Sequence, residues 1–236
     1  MTLAEKSRPF IDYLEQWLAA LPSLTIDDAF PNPEKSAIIS VDVINGFLYE
    51  GPLASPRVAK IDAPISGLFK AAWEKGVREF LLIQDAHNQR TMEFREFGPH
   101  ALKGTKEATT IDMIQTLPFF KEMTILHKDS LHPALNNSFD AWMAERDDLE
   151  TIIAVGDVTD LCLYQLAMHL KLKANANHLN YRVIVPANCT QTWHLSVMDA
   201  KESPAKPHHG DLLHATFLNH MALNGIEVVK SICMST

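Results

Sequence analysis

The sequence is poor in glycine and lacks the common glycine-rich nucleotide-binding motifs. Nine glycines occur in 236 residues, and they form no GxGxxG, GxxxxGKS or GxxxxGKT pattern. These motifs supply the backbone N–H groups that surround phosphates in dinucleotide and P-loop sites. We therefore expect no nucleotide cofactor.

Cysteines are also few, and their spacing fits neither a disulfide framework nor a CxxC metal site. The three are Cys162, Cys189 and Cys233. Widely spaced thiols are typical of proteins kept in a reducing compartment. The N-terminus lacks the basic and apolar segments of a secretory signal peptide. We therefore expect a cytoplasmic protein.

No run of basic residues offsets the excess of acidic ones. The chain has 29 acidic and 21 basic residues, which gives a net charge of −8. Binding to nucleic acid or to an anionic membrane requires local positive charge. The apolar stretches are too short to span a bilayer, and the mean hydropathy is −0.06. We expect a small-molecule partner, and neither nucleic acid nor membrane.

Six short apolar runs alternate with stretches that have helical periodicity. Almost continuously apolar strands of this length are typical of a parallel sheet covered on both faces. At 236 residues the chain suits one large α/β domain. We predict a three-layer, Rossmann-like α/β fold with a six-stranded, mostly parallel sheet flanked by helices. The predicted strands are 37–41, 80–83, 123–126, 151–155, 182–185 and 226–229.

Residues 1–35 are predicted to form an N-terminal helical extension to a domain at residues 36–236. One face of its helix is apolar, and residues 31–33 read as a linker to the first strand. Packing on the domain's own core is the favoured interpretation. Contact with another subunit is the alternative, because so large an exposed apolar surface would otherwise face solvent. We also expect a homo-oligomer. The apolar face consists of Phe10, Tyr13, Leu14, Trp17, Leu18 and Leu21.

The segment from Gly156 to Cys162 places a cysteine near the start of a predicted helix. It follows the fourth predicted strand directly, so a strand, a short turn and a helix succeed one another. With Thr159 as the N-cap, Cys162 is the third helical residue, where unpaired N–H groups and the helix dipole favour an anion. A thiol placed there is biased towards the reactive thiolate, and backbone donors for an oxyanion lie nearby.

Chemically reactive side chains follow two other predicted strands. Asp42 follows the first and Lys128 the third, and ligands of open parallel sheets bind at this edge. Singly, each residue has a structural interpretation: a capping aspartate, a solvated lysine, and a buried free cysteine at position 162. Their joint placement at the carboxyl ends of strands favours catalysis. We therefore predict that Asp42, Lys128 and Cys162 form one catalytic site.

Two histidines and two acidic residues lie between the second and third predicted strands. Asp85 and His87 can point the same way from an extended segment, and Glu93 and His100 follow them. This donor set suits a borderline divalent metal such as zinc, iron or manganese. Histidines that are hydrogen-bonded within a loop are the alternative, and the spacing by itself does not choose between the two.

A second pair of histidines, His208 and His209, has no partner in these patterns. The pair lies in a segment that also carries proline and lysine. We predict that both side chains lie at the surface.

The segment 36–232 resembles the isochorismatase-like cysteine hydrolases, and within them the nicotinamidases. The hallmark of that family is an Asp-Lys-Cys triad, which Asp42, Lys128 and Cys162 match. The run Thr-Asp-Leu-Cys that ends at Cys162 also matches the Thr-Asp-x-Cys ending of the family's nucleophile turn. The resemblance implies the α/β fold predicted above and a cysteine hydrolase activity.

The resemblance also implies details of the nucleophile turn. A cis peptide bond would join Asp157 and Val158, and the backbone N–H groups of Val158 and Cys162 would form the oxyanion hole. The family usually has valine where this chain has Asp157, and often an aromatic residue where it has Ala86. Both departures point to a substrate whose shape differs from that of nicotinamide.

Nicotinamidases bind a metal beside the triad through an Asp-x-His pair and a later histidine, which Asp85, His87 and His100 match. Some bacterial members add a glutamate seven residues before the last histidine, where Glu93 lies. The resemblance therefore implies one divalent metal ion that holds the pyridine nitrogen. Zinc is the first choice, and iron and manganese are alternatives. Phe47 would line the substrate pocket, with a place in the core as the alternative.

The implied reaction is hydrolysis of nicotinamide to nicotinate and ammonia through a cysteine thioester. Asp42 would act as the general base, and Lys128 would lower the pKa of the Cys162 thiol. One alternative is hydrolysis of another small amide or carbamoyl compound by the same triad. Another is a non-catalytic family member that serves as a binding module.

Overall fold

A parallel β-sheet forms the centre of the protein. The computed structural model describes residues 1–203 and 205–233. No helix in these two ranges is both long and apolar enough to cross a membrane. The strands are β1 (Leu24–Thr25), β2 (Ser36–Val41), β3 (Glu79–Asp85), β4 (Thr124–Lys128), β5 (Thr151–Asp157), β6 (Arg182–Pro186), β7 (Thr190–Gln191), β8 (Glu227–Val229) and β9 (Ile232–Cys233).

The main sheet contains the six predicted strands in the order β4-β3-β2-β5-β6-β8, all paired in parallel. The predicted α/β fold is thereby confirmed. The short strand β7 is an addition that pairs with the end of β5, so the described part of the sheet has seven strands. Two residues without an apolar run carry no periodicity, which is why the sequence does not reveal β7.

The strand order reverses beside β2. The chain passes from β2 to β3 and β4 on one side, and then returns to β5 on the other side of β2. In an open parallel sheet, such a reversal opens a crevice at the carboxyl ends of the two central strands. The residues that follow β2 and β5 therefore lie beside each other at this crevice.

Helices cover both faces of the sheet and make three layers. Along β2, Ile38 joins the apolar core on the α4 side and its neighbour Ile39 joins the core on the α8 side, because successive strand side chains point to opposite faces. The helices are α1 (Leu3–Ala19), α2 (Ile26–Ala29), α3 (Asn45–Leu48), α4 (Asp62–Lys75), α5 (Phe94–Phe97), α6 (Asp112–Gln115), α7 (Phe139–Ala144), α8 (Cys162–Asn177) and α9 (Gly210–Leu223).

The N-terminal helix α1 packs on the domain through part of its apolar face. Leu14 and Leu21 are buried, whereas Phe10 and Tyr13 are 51% and 48% exposed. The next residues pair with the other end of the chain, since Leu24 of β1 aligns with Ile232 of β9. A 3-10 helix, Pro33–Lys35, begins at the last residue of the predicted linker. The extension is therefore joined to the domain at several points.

Candidate active site

The nucleophile turn begins where the end of β5 lies very close to the backbone of the neighbouring strand β2. Gly156 has a φ of 113°, and a Cβ atom there would lie 2.0 Å from the carbonyl oxygen of Val41. Only glycine fits this close backbone contact. The next peptide bond, between Asp157 and Val158, is cis, and α8 starts four residues later with Cys162.

The predicted N-cap of α8 is wrong. Cys162 is the first residue of the helix, and Leu161 occupies the N-cap position. The Thr159 hydroxyl is buried and lies 3.0 Å from Thr190 Oγ1 and 2.8 Å from His214 Nδ1. Because these contacts hold the Thr159 hydroxyl away from the first turn of α8, Thr159 does not cap the helix.

The structure brings Asp42, Lys128 and Cys162 together at the crevice. The Lys128 ammonium lies 2.8 Å from Asp42 Oδ2 and donates to Cys162 Sγ at 3.5 Å. It also donates to Asp85 Oδ1 at 2.6 Å. Asp42 has a left-handed φ of 57°, and its Oδ1 accepts a hydrogen bond from the Asp85 backbone N–H at 2.8 Å. A buried lysine thus joins the predicted catalytic residues to the predicted metal ligands.

Burial dominates the ionisation of these groups. It raises the pKa of the Cys162 thiol well above its usual value, and the Lys128 charge opposes this. Burial and the neighbouring Asp85 also raise the pKa of Asp42 to about 7, against the effect of Lys128. Burial therefore opposes the expected bias towards a resting thiolate, whereas Lys128 acts in the expected sense. A general base works best with a pKa near the working pH.

The four predicted metal ligands converge beside this group. One ligand atom from each of Asp85, His87, Glu93 and His100 lies within 4.8 Å of the others. The Nε2 atoms of His87 and His100 are 3.1 Å apart, and Asp85 Oδ2 lies 3.4 Å from His87 Nε2. Asp85, His87 and His100 are buried, and Glu93 is half-buried.

The hydrogen bonds behind the histidines orient them for a cation. His87 Nδ1 donates to Asp129 Oδ1 at 2.6 Å, and His100 Nδ1 donates to the Gly98 carbonyl at 2.8 Å. In neutral rings with these tautomers, both Nε2 lone pairs point into the same space. Metal-binding histidines are typically held in this way by a carboxylate or a carbonyl oxygen. The donor set and its geometry therefore fit a divalent metal.

Asp129 is a residue of this site that the sequence analysis missed. It directly follows Lys128 at the end of β4, so the inspection of strand ends could have identified it. Phe47, predicted for the substrate pocket, is half-buried with its ring 5.7 Å from that of His100. It also packs against the core, which is the alternative that the sequence left open. Its place in a substrate pocket stays a prediction.

The prediction of a surface position for His208 is wrong. The side chain is buried, with Nε2 2.7 Å from Asp160 Oδ2 and the ring stacked on Trp193 at 3.6 Å. Leu195 and His208 pair as an antiparallel bridge, and the His208 side chain reaches Asp160 of the nucleophile turn. His209 is exposed as predicted, and it caps α9 by accepting a hydrogen bond from Leu212 N–H.

Comparison with protein families gives one match, an isochorismatase domain, over residues 36–231. The chain belongs to the isochorismatase family. This confirms the resemblance noted in the sequence. The family match covers most of the chain and establishes a hydrolase of the isochorismatase type.

Solved structures of isochorismatase-like hydrolases share the fold. One from Alkaliphilus metalliredigens is 24% identical over 82% of this chain and 93% of its own, with a TM-score of 0.61. N-carbamoylsarcosine amidase from Thermoplasma acidophilum is 21% identical over 86% and 99%, with a TM-score of 0.63. A pyrazinamidase/nicotinamidase from Streptococcus mutans is 22% identical over 82% and 99%, with a TM-score of 0.64. The comparison with curated proteins gives no match.

Proposed function

We propose that the protein is a metal-assisted cysteine amidohydrolase that converts nicotinamide and water to nicotinate and ammonia. The observation that carries this proposal is the buried Lys128, which contacts Asp42, Asp85 and Cys162 at 2.8, 2.6 and 3.5 Å. A nucleophile, a base and a cation thus lie together, beside four side chains that could hold a metal ion. Nucleophilic catalysis at an amide uses an activated nucleophile and a base, and a nearby cation favours the thiolate.

Acylation begins at the Cys162 thiol. Asp42 takes its proton, and the thiolate attacks the amide carbonyl to form a tetrahedral intermediate. Asp42 then passes the proton to the leaving nitrogen, the carbon–nitrogen bond breaks, and ammonia leaves a thioester on Cys162. Lys128 stays charged throughout and stabilises the negative charge that moves between the base and the thiol.

Hydrolysis of the thioester uses the same base. Asp42 takes a proton from a water molecule, whose oxygen attacks the thioester carbonyl. The carbon–sulfur bond breaks, the Cys162 thiolate leaves, and Asp42 returns its proton to the sulfur. The acid product then leaves and the thiol is restored.

The backbone N–H groups of Val158 and Cys162 are available for the oxyanion. In the part of the chain that the structure describes, neither donates a hydrogen bond to another protein group. Loss of one such donor lowers turnover by about 10²–10³-fold in comparable sites. We propose that these two groups form the oxyanion hole.

The metal ligands in this proposal are Asp85, His87, Glu93 and His100, with zinc as the first choice and iron or manganese as alternatives. When bound, the metal supplies a Lewis-acid contact that holds the pyridine nitrogen. The half-buried ring of Phe47 lines the pocket beside His100 and supports the flat face of the substrate.

A second candidate is hydrolysis of another small amide or carbamoyl compound by the same residues. Asp157 supports it, since a polar side chain replaces the valine usual in the family. An amidase for a carbamoyl compound also shares the fold. A non-catalytic binding module is less well supported, because Asp42, Lys128 and Cys162 are all present and in contact.

We also propose a cytoplasmic location and a homo-oligomer. The three cysteines are all unpaired, which suits a reducing compartment. The stacked rings of Phe10 and Tyr13 are half-exposed on α1 and offer a surface for a second copy. Light scattering of the purified protein measures the mass directly, and a monomer would contradict the oligomer.

Ammonia release from a small panel of amides tests the proposed reaction. The panel contains nicotinamide, pyrazinamide and N-carbamoylglycine, each with metal-loaded protein and with protein treated with a chelator. We expect turnover of the two aromatic carboxamides, nicotinamide and pyrazinamide, and we expect both the chelator and Cys162→Ala to abolish it. If neither aromatic carboxamide is hydrolysed, the nicotinamidase proposal is contradicted. Chelator-resistant turnover of the carbamoyl compound would favour the second candidate.

A further inference from the structure

Asp157 is a buried carboxyl group without a partner. It is the last residue of β5, directly before the cis peptide bond, and it is 1% exposed. Its Oδ2 atom is fully buried without a hydrogen bond, and no described residue donates to either carboxyl oxygen. Buried polar groups are nearly always hydrogen-bonded, so an orphaned one needs a reason.

The charged groups that act on Asp157 all belong to the active site. Burial raises the pKa of its carboxyl well above the usual value, Asp42 adds to this, and Lys128 opposes it. The strand register places it there too: Val41 of β2 aligns with Gly156 of β5, so the next residues, Asp42 and Asp157, lie side by side. Asp42 is the group that delivers a proton to the leaving nitrogen. In its neutral form it has a carbonyl oxygen that can accept a hydrogen bond.

In the mechanism above, one N–H group of a primary amide substrate has no hydrogen-bond acceptor. The substrate oxygen accepts from the Val158 and Cys162 N–H groups. The leaving –NH₂ group has two N–H bonds, and Asp42 can accept only one of them in its position as base. Lys128 is a donor and cannot help. In a site this well buried, the second N–H loses its water partner and needs an acceptor.

We propose that Asp157 binds the scissile carboxamide by accepting a hydrogen bond from the second N–H of the leaving amino group, which makes the enzyme selective for primary amides over esters of the same acid. The inference rests on the proposed amidohydrolase function. A valine at this position fills similar space but cannot accept the bond. Asp157 is thus a substrate-binding residue whose partner arrives with the substrate.

The kinetic test uses an amide and an ester that share one acyl group. Metal-loaded wild-type protein, Asp157→Val and Asp157→Asn are assayed with nicotinamide and with methyl nicotinate. We expect Asp157→Val to lower the ratio of kcat/KM for amide over ester at least about tenfold. Asp157→Asn keeps a carbonyl acceptor of the same shape, so its ratio should return to within about threefold of wild type. An unchanged ratio in Asp157→Val would overturn the inference.

A second test measures binding in an inactive variant and therefore does not depend on turnover. In a Cys162→Ala background, calorimetry measures the Kd of nicotinamide and of 3-acetylpyridine, which has a methyl group in place of the amino group. We expect the preference for nicotinamide to fall at least about tenfold when Asp157 is also replaced by valine. An equal preference with and without Asp157 would contradict the proposal.

Thermal unfolding separates substrate binding from a structural role. An orphaned carboxyl costs stability in the free protein, so Asp157→Val should raise the unfolding midpoint or leave it unchanged. A lower midpoint that Asp157→Asn restores would indicate a structural hydrogen bond and overturn the inference. Wild-type protein that hydrolyses no amide of the panel would instead overturn the proposed function. If pyrazinamide is the better substrate, pyrazinamide and methyl pyrazine-2-carboxylate replace the pair.

Discussion

The Nε2 atoms of His87 and His100 lie 3.1 Å apart in the buried cluster that follows β3. Each ring has its Nδ1 bound to an acceptor, Asp129 Oδ1 in one case and the Gly98 carbonyl in the other. Two neutral rings held in this way direct both Nε2 lone pairs into one space, so the contact is favourable only with a proton or a metal ion between them. The arrangement therefore makes the metal site testable without knowledge of the substrate.

Removal of a ligand or of its support should weaken metal binding to different extents. We expect His100→Ala to abolish stoichiometric zinc binding, because it removes one of the four donors. Asp129→Ala should lower the zinc affinity about 10–100-fold, because it removes only the hydrogen bond that orients the His87 ring. Competition with a chromophoric chelator measures both. His127→Ala is the control: this exposed histidine also lies on β4 but outside the cluster, and a similar loss there would contradict the assignment.

Replacement of Lys128 should destabilise the fold. Its ammonium has no exposed surface and neutralises Asp42 and Asp85, whose side chains are each 1% exposed. Lys128→Met would leave two buried carboxylates uncompensated, and we expect a loss of about 3–5 kcal/mol in the free energy of unfolding. Urea denaturation measures it.

The surface pair Lys35–Glu150 offers the control for this variant. Its atoms are 3.0 Å apart, but the side chains are 40% and 42% exposed. Lys35→Met should therefore cost far less stability than Lys128→Met. If both variants lost the same free energy of unfolding, burial would not explain the contribution of Lys128 to stability.

Gly156 should tolerate no side chain. A Cβ atom would lie 2.0 Å from the Val41 carbonyl oxygen at a φ of 113°. We expect Gly156→Ala to cost at least about 3 kcal/mol and to reduce activity, because β2 and β5 must separate beside Asp42 and the nucleophile turn. Gly67 in α4 is the matched control, since it is exposed with no atom within 4 Å of its added Cβ. Gly67→Ala should raise stability by about 0.5–1 kcal/mol.

His214 should make the protein sensitive to acid. Burial lowers its pKa to about 4, and the charge of Arg57 acts in the same direction. Between pH 6.5 and 4 the unfolded chain binds a proton that the folded chain does not, so stability falls as the pH falls through this window. The lost free energy is on the order of 3 kcal/mol.

The variant His214→Gln tests this prediction by urea unfolding at several pH values. It removes the ionisable group, so stability should change less between pH 6.5 and 4 than in the wild type. His178→Gln is the control, because this imidazole is exposed at the end of α8. A pH dependence of His214→Gln that equals the wild type would show that another group causes the acid sensitivity.

Local patterns were sufficient to predict six of the seven described strands of the main sheet. The apolar runs at 37–41 and 151–155 lie within β2 and β5, whose residues are buried at every position. Strands buried on both faces must be apolar nearly throughout, so their sequence signal is strong. Because parallel strands end at the same edge, Asp42, Lys128 and Cys162 could be assigned to one site before their distances were known.

Contacts between distant residues explain the wrong predictions. Thr159 has a typical capping side chain, but His214, 55 positions away, engages its hydroxyl. His208 has the surroundings of a surface loop in sequence, but Asp160, 48 positions away, holds it inside. No local pattern contains either partner.

The sequence by itself determined the parallel sheet, the strand ends that carry the reactive side chains, and the family. Periodicity and residue type suffice for these, because burial of a strand is a local requirement. Only the tertiary structure decided the burial of Cys162, the convergence of His87 with His100, and the isolation of Asp157. These depend on how much water is excluded and which charges are brought close, and both are set by the packing of segments that are far apart in the chain.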